Sequence, residues 1–217
     1  MNTLHLWISR IVLLGLAPVS WAQSTTDLIV TGSIVPAACT PQFSTQAVHF
    51  GKFSFRDLAH QDHTALGEQA HTLVITCEAP AAYALRATDN RKGSAHGKPD
   101  VPAPLGMGFT PMGERIGSFH LVVRSEGSNI DGRPVYLSVG PPDGGSWSPA
   151  SVQARPISGD GGLLALVETV GATSGPTRVR EALLQVVASA HVAPASGLTL
   201  NQEVVFDGHA TLELIYL

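Results

Sequence analysis

Two cysteines, Cys39 and Cys77, sit among short runs of alternating apolar residues that glycine or proline breaks again and again. A period of two sends successive side chains to opposite faces of a pleated strand, so such runs predict sheets with one face buried. They are Thr72–Cys77, Tyr83–Ala87, Ser118–Arg124, Val135–Val139 and Ala210–Leu217. Phe119, Leu121 and Val123 fall on one face of the third. In the last, Leu212, Leu214 and Tyr216 share a face, with Thr211, Glu213, Ile215 and Leu217 on the other. Leu28–Thr31, Ser33–Val35, Ala47–Phe50 and Glu203–Phe206 are further candidate strands. Glu78-Ala-Pro80 predicts a hairpin or a sharp strand corner, and Asp207-Gly208 a bulge or bend.

Arg180–His191 reads two ways. Leu183, Leu184, Val187 and His191 fit helical spacing, whereas Leu184, Val186, Ala188 and Ala190 fit the inward face of a strand. The strand reading is preferred because the surroundings are all β. Asp89–Pro104, Pro141–Pro149 and Gly171–Pro176 read as loops. With 22 glycines and 15 prolines spread throughout, no segment stands out as a linker, and no internal repeat is present. Charged residues make up 14% of the chain and mean hydropathy is slightly positive, so a sizeable core can be buried. Many short strands joined by Gly/Pro loops indicate an all-β sandwich or barrel.

Residues 1–22 have the layout of a signal peptide: Arg10, an apolar stretch Ile11–Val19, and small residues in Ser20-Trp-Ala22. That apolar stretch is too short for a membrane span. The expected mature chain is a single domain, 23–217, in the periplasm or at the cell surface. It keeps both cysteines, and an even count in an exported chain favours a bridge over two buried free thiols. The mild acidic balance, −4 for the whole chain, leaves no footprint for nucleic acid.

No nucleophile elbow, P-loop or dinucleotide fingerprint occurs, so neither a catalytic residue nor a cofactor is expected. Gly159-Asp-Gly-Gly162 reads as a turn. His60-Gln-Asp-His63, with His71 nearby, has metal-ligand spacing, but a solvated loop outweighs a metal site there. Trp147 has two readings. An exposed indole would stack on a host or surface glycan or anchor a partner; alternatively it folds back over the sandwich, as large aromatics mostly do. Arg91, Lys92, His96 and Lys98 make a small basic loop, more often a solvated connection than a binding patch.

Three stretches carry a family resemblance: Gly32-Ser-Ile-Val-Pro-Ala-Ala-Cys39-Thr-Pro41, then Val48-His-Phe-Gly51 followed by Leu73-Val-Ile-Thr-Cys77, and the terminal strand with Tyr216 in penultimate place. They resemble the chaperone–usher pilin superfamily. More closely they resemble an uncharacterised fimbrial-like periplasmic family of Gram-negative bacteria (domain-of-unknown-function family 1120). The resemblance implies an immunoglobulin-like, pilin-type β-sandwich that lacks its last strand. It further implies a non-enzymatic fimbrial subunit, adhesive in some members, completed first by a periplasmic chaperone and then by neighbouring fimbrial subunits. Leu212, Leu214 and Tyr216 would then form the edge that meets chaperone or subunit, and Leu28 and Val30 the plugs of a donor strand. A self-complete periplasmic binding module of the same fold is the second expectation. A metal-dependent hydrolase using the His60–His71 region is the third.

Overall fold

The computed structural model of the chain describes residues 26, 28–31, 38–97 and 104–217. The expected signal peptide, most of the stretch before Cys39 and the loop residue Lys98 lie outside the described residues. A compact unit spans Pro36–Leu217, separate from Met1–Val35.

Its strands begin at the first cysteine. β1, Cys39–Phe43, pairs antiparallel with β2, Thr64–Asp89. β2 runs for 26 residues because it serves two layers in turn. Its first half, up to Thr76, pairs with β9, Arg178–Val192, and from Leu73 it also has β1 on its other side. Beyond β9 come β4, Gly117–Ile130, and β3, Leu105–Gly106, with the short β5, Arg133–Pro134, and β7, Arg155–Pro156, also on β4. The register between β2 and β9 slips between Thr76 and Ala81. There Glu78-Ala-Pro80 turns the strand without ending it. Pro80 cannot donate to a ladder, so the irregular stretch is where it does least harm. Of the two expectations for this segment, the corner is observed and the hairpin is not.

Past the corner, β2 lies between β8, Leu163–Val167, and β10, Ala210–Tyr216, with β6, Tyr136–Gly140, outside β8. All ten strands thus form one antiparallel network, continuous through β2. Its two layers face each other across a shared core. Leu73, Ile75, Val123, Leu184 and Val186 from the first layer pack in one cluster with Tyr83, Leu85, Leu137, Leu164 and Leu166 from the second. Each such leucine or isoleucine contributes roughly 1.5–3 kcal/mol by leaving water. The chain is an all-β sandwich pinned by one disulfide, Cys39–Cys77.

The position of that disulfide follows from register. Glu78 N–H donates to the Ala38 carbonyl and Ser44 N–H to that of Thr72, so the even-numbered residues of β1 carry the ladder. Cys39 and Cys77 are opposed in a non-hydrogen-bonded pair, where side chains approach most closely. The stretch Arg180–His191 is strand, flanked by β2 and β4, with Leu184, Val186, Ala188 and Ala190 all buried.

Three expected strands are not formed. Leu28–Thr31 takes no strand structure. β propensity becomes a strand only in a ladder. Ala47–Phe50 has left the β1 line, and the Gln69 side-chain amide, not a backbone ladder, reaches the His49 carbonyl. Glu203–Phe206 is likewise irregular, and the chain next anchors where Asp207 N–H meets the Met107 carbonyl. Conversely, β8 lies in sequence not singled out as strand. All five of its residues are buried: Leu164 and Leu166 face the main core, while Ala165 and Val167 pack with Ala150 under Tyr136 and Trp147.

Candidate functional site

Two strands end their layers on the same side of the sandwich. β1 closes one layer and β10 the other, each with a single partner, β2, among the described residues. Between them lies a groove of about 790 Å³. Phe43, Leu73, Phe119, Leu121, Val186 and Leu212 give it apolar walls, and the rims are the irregular segments 45–50 and 206–209. Phe43, Phe119, Leu121 and Leu212 are partly buried against the core, so the groove opens directly onto it.

Ladder parity shows what each edge offers. Asn90 N–H donates to the His209 carbonyl and Leu217 N–H to that of Ala82, so the odd-numbered residues of the terminal segment bond to β2. The N–H and C=O of Ala210, Leu212, Leu214 and Tyr216 therefore point away from β2, along the free edge. On β1 the outward residues are Cys39, Pro41 and Phe43. Pro41 has no N–H, so this edge is blunted at its middle. Cys39 N–H is taken as well, donating to Tyr216 Oη at 2.9 Å. The two edges are thus unequal: β10 presents a strand template and β1 mostly does not.

β10 is held firmly to its one partner. Arg86 donates to Glu213 Oε2 at 2.6 Å and Thr88 Oγ1 to Glu213 Oε1 at 3.1 Å. These bonds, Arg86 foremost, hold the Glu213 carboxyl below its ordinary range. Asn90 Nδ2 donates to Thr211 Oγ1 at 2.9 Å. Leu212 and Leu214, on the other face, pack on the core. Gly208, just before the strand, lies so close to the Phe119 ring that a Cβ would collide with it.

Leu28 and Val30 are 89% and 86% exposed, with Ile29 between them equally bare. Trp147 is half-buried, its ring against Gly140 and Gly175 and packed on Ala165 and Val167. It folds over the outer face of β8. The histidines near 60 do not gather at one point. His63 Nε2 lies 3.0 Å from His96 Nδ1, whereas His71 lines the groove and His60 is exposed. Among the described residues no group of three or more His, Cys, Asp or Glu is placed to hold a metal ion. Arg91 of the basic loop pairs with Asp207, joining that loop to the groove rim.

Sequence reasoning found β10 and its inward leucines but missed Phe43 and the rim segments as groove residues. The signal for Phe43 was present in Cys39-Thr-Pro-Gln-Phe43, which alternates past the cysteine.

Residues 28–103 match the model of a family described as "Protein of unknown function (DUF1120)". That is the family the sequence resembles, and the match takes in β1 and β2. An Escherichia coli (strain K12) protein, "Uncharacterized protein YhcF", is 25% identical over 243 aligned residues that cover the whole of both chains.

Proposed function

From the match of residues 28–103 to this family of unknown function, we propose that the protein is a non-enzymatic, fimbrial-like subunit that accepts a β-strand from a partner protein. The partners are a periplasmic chaperone and then neighbouring subunits, and the place of action is the periplasm or cell surface. One observation carries the reading: β10, paired only with β2 among the described residues, is an edge beside an apolar groove that opens onto the core. Its outward N–H and C=O groups would hydrogen-bond an added strand, and alternate side chains of that strand would fill the groove. The disulfide supports an oxidising compartment.

The test is hydrogen exchange on the oxidised chain with and without an extended peptide of alternating apolar residues. The expected result is saturable slowing at the Ala210 and Leu212 amides. Leu212→Arg, which places a charge in the groove, should weaken binding by about tenfold or more, the equivalent of ~1.4 kcal/mol. No slowing at either amide would contradict the reading.

The second reading, a self-complete binding module, draws on the Cys39–Tyr216 hydrogen bond, which already joins the two edges at one end. It predicts that no peptide slows exchange on β10.

A further inference from the structure

The groove does not run the length of its walls. Open space lies beside Ala210 and Leu212 of β10, Pro41 and Phe43 of β1, and Val186 and Ala188 of the floor. One step further along the same strands, Leu214, Cys39 and Leu184 do not line it. Leu184 is fully buried there, and Leu214 and Cys39 pack against the core. The walls meet at that end through Tyr216 Oη, which accepts the Cys39 N–H. Cys39 cannot slide to loosen this contact, because its own side chain is bonded to Cys77.

We propose that the groove is a half-length acceptor, clasped shut by Tyr216 and Cys39. It admits a short extended segment of a partner protein that forms its ladder on β10 at Ala210 and Leu212 and stops before Leu214. This rests on the strand-accepting reading above and adds what the partner must look like. Two outward-facing residues, Ala210 and Leu212, offer rungs for about five residues of an added strand. Such a segment places two apolar side chains, spaced two apart, into the space lined by Phe43, Leu73 and Val186. The opposite wall adds little to the ladder, because Pro41 lacks an N–H. A longer alternating segment gains nothing unless it breaks the clasp and parts Leu214 from the core.

The test uses the oxidised full chain, a six-residue peptide with two alternating apolar side chains, and a twelve-residue peptide with five. Affinity is measured by calorimetry on wild type and Tyr216→Phe, with exchange followed at the Leu212 and Cys39 amides. On wild type the longer peptide should bind no more than about threefold tighter than the short one. The Cys39 amide should stay protected with either peptide bound. In Tyr216→Phe, which keeps the ring and removes the acceptor, the longer peptide should gain roughly two- to tenfold, the worth of one hydrogen bond, and the short one should not change. A longer peptide that binds wild type much more tightly and exposes the Cys39 amide overturns the length limit while leaving strand acceptance intact. Equal affinity of the longer peptide for wild type and Tyr216→Phe overturns the clasp. Failure of both peptides to slow Leu212 exchange removes strand acceptance itself, and this proposal with it.

Discussion

Pro41 shows how one residue decides what an edge can do. It stands at an outward position of β1, where the strand to β2 loses nothing and a newcomer finds no donor. His120 is a second such case, on stability. It is 2% exposed on β4, and neither ring nitrogen has a hydrogen-bond partner among the described residues. Burial foremost, with the nearby His191 second, pushes its pKa from 6.5 down to about 4. Between those values the unfolded chain binds a proton that the folded chain does not, so stability rises with pH across that window. It is lost on acidification from about pH 6.5 towards 4, by roughly 3 kcal/mol at most. His120→Leu should flatten that slope, measured as the difference in denaturant midpoint between about pH 4.5 and 7.5. An unchanged slope would show that His120 is not the group responsible. Gly117 is constrained by a neighbouring backbone: a Cβ there would collide with the His191 carbonyl oxygen of the paired strand. Gly117→Ala should therefore cost about 1–3 kcal/mol in chemical denaturation.

At the scale of elements, the sequence is informative wherever one face of a strand is buried and the other is not. β4 and β10 alternate, and that alternation identifies their inward residues, whereas β9 also fits helical spacing and is read as strand from its all-β surroundings. β8 shows no such signal, because Leu163-Leu-Ala-Leu-Val167 is covered on both sides and so does not alternate. Ala47–Phe50 and Glu203–Phe206 fail in the opposite sense. They have strand composition, yet neither forms a ladder, and Ala47–Phe50 and Phe206 lie on the groove rims instead. The groove is less legible still. It depends on two strands from opposite ends of the fold each having one partner, and on which parity of residues faces outward. Both are properties of register, which composition does not report. Tyr216 stands out in the sequence as a terminal aromatic, but its bond to Cys39 exists only once the sandwich has closed.

For the whole molecule, the disulfide and the unpaired edge act in opposite directions. The bridge closes a loop of 38 positions and should stabilise the fold by about 4 kcal/mol through the unfolded chain. Replacing both cysteines by alanine should lower unfolding stability by about that amount, read from denaturant midpoints at constant slope. The groove leaves Phe43, Phe119, Leu121 and Leu212 incompletely covered beside an edge with free backbone groups. An added strand should recover that loss.

The central claim is that this sandwich is incomplete and accepts a strand on β10. Guanidinium unfolding of the oxidised chain, with and without a peptide of alternating apolar residues, tests it most directly. The account predicts a midpoint that rises with peptide and saturates, by about 2.7 kcal/mol of stability at a hundredfold excess over the dissociation constant. A cooperative transition at a high midpoint that no such peptide moves would contradict it.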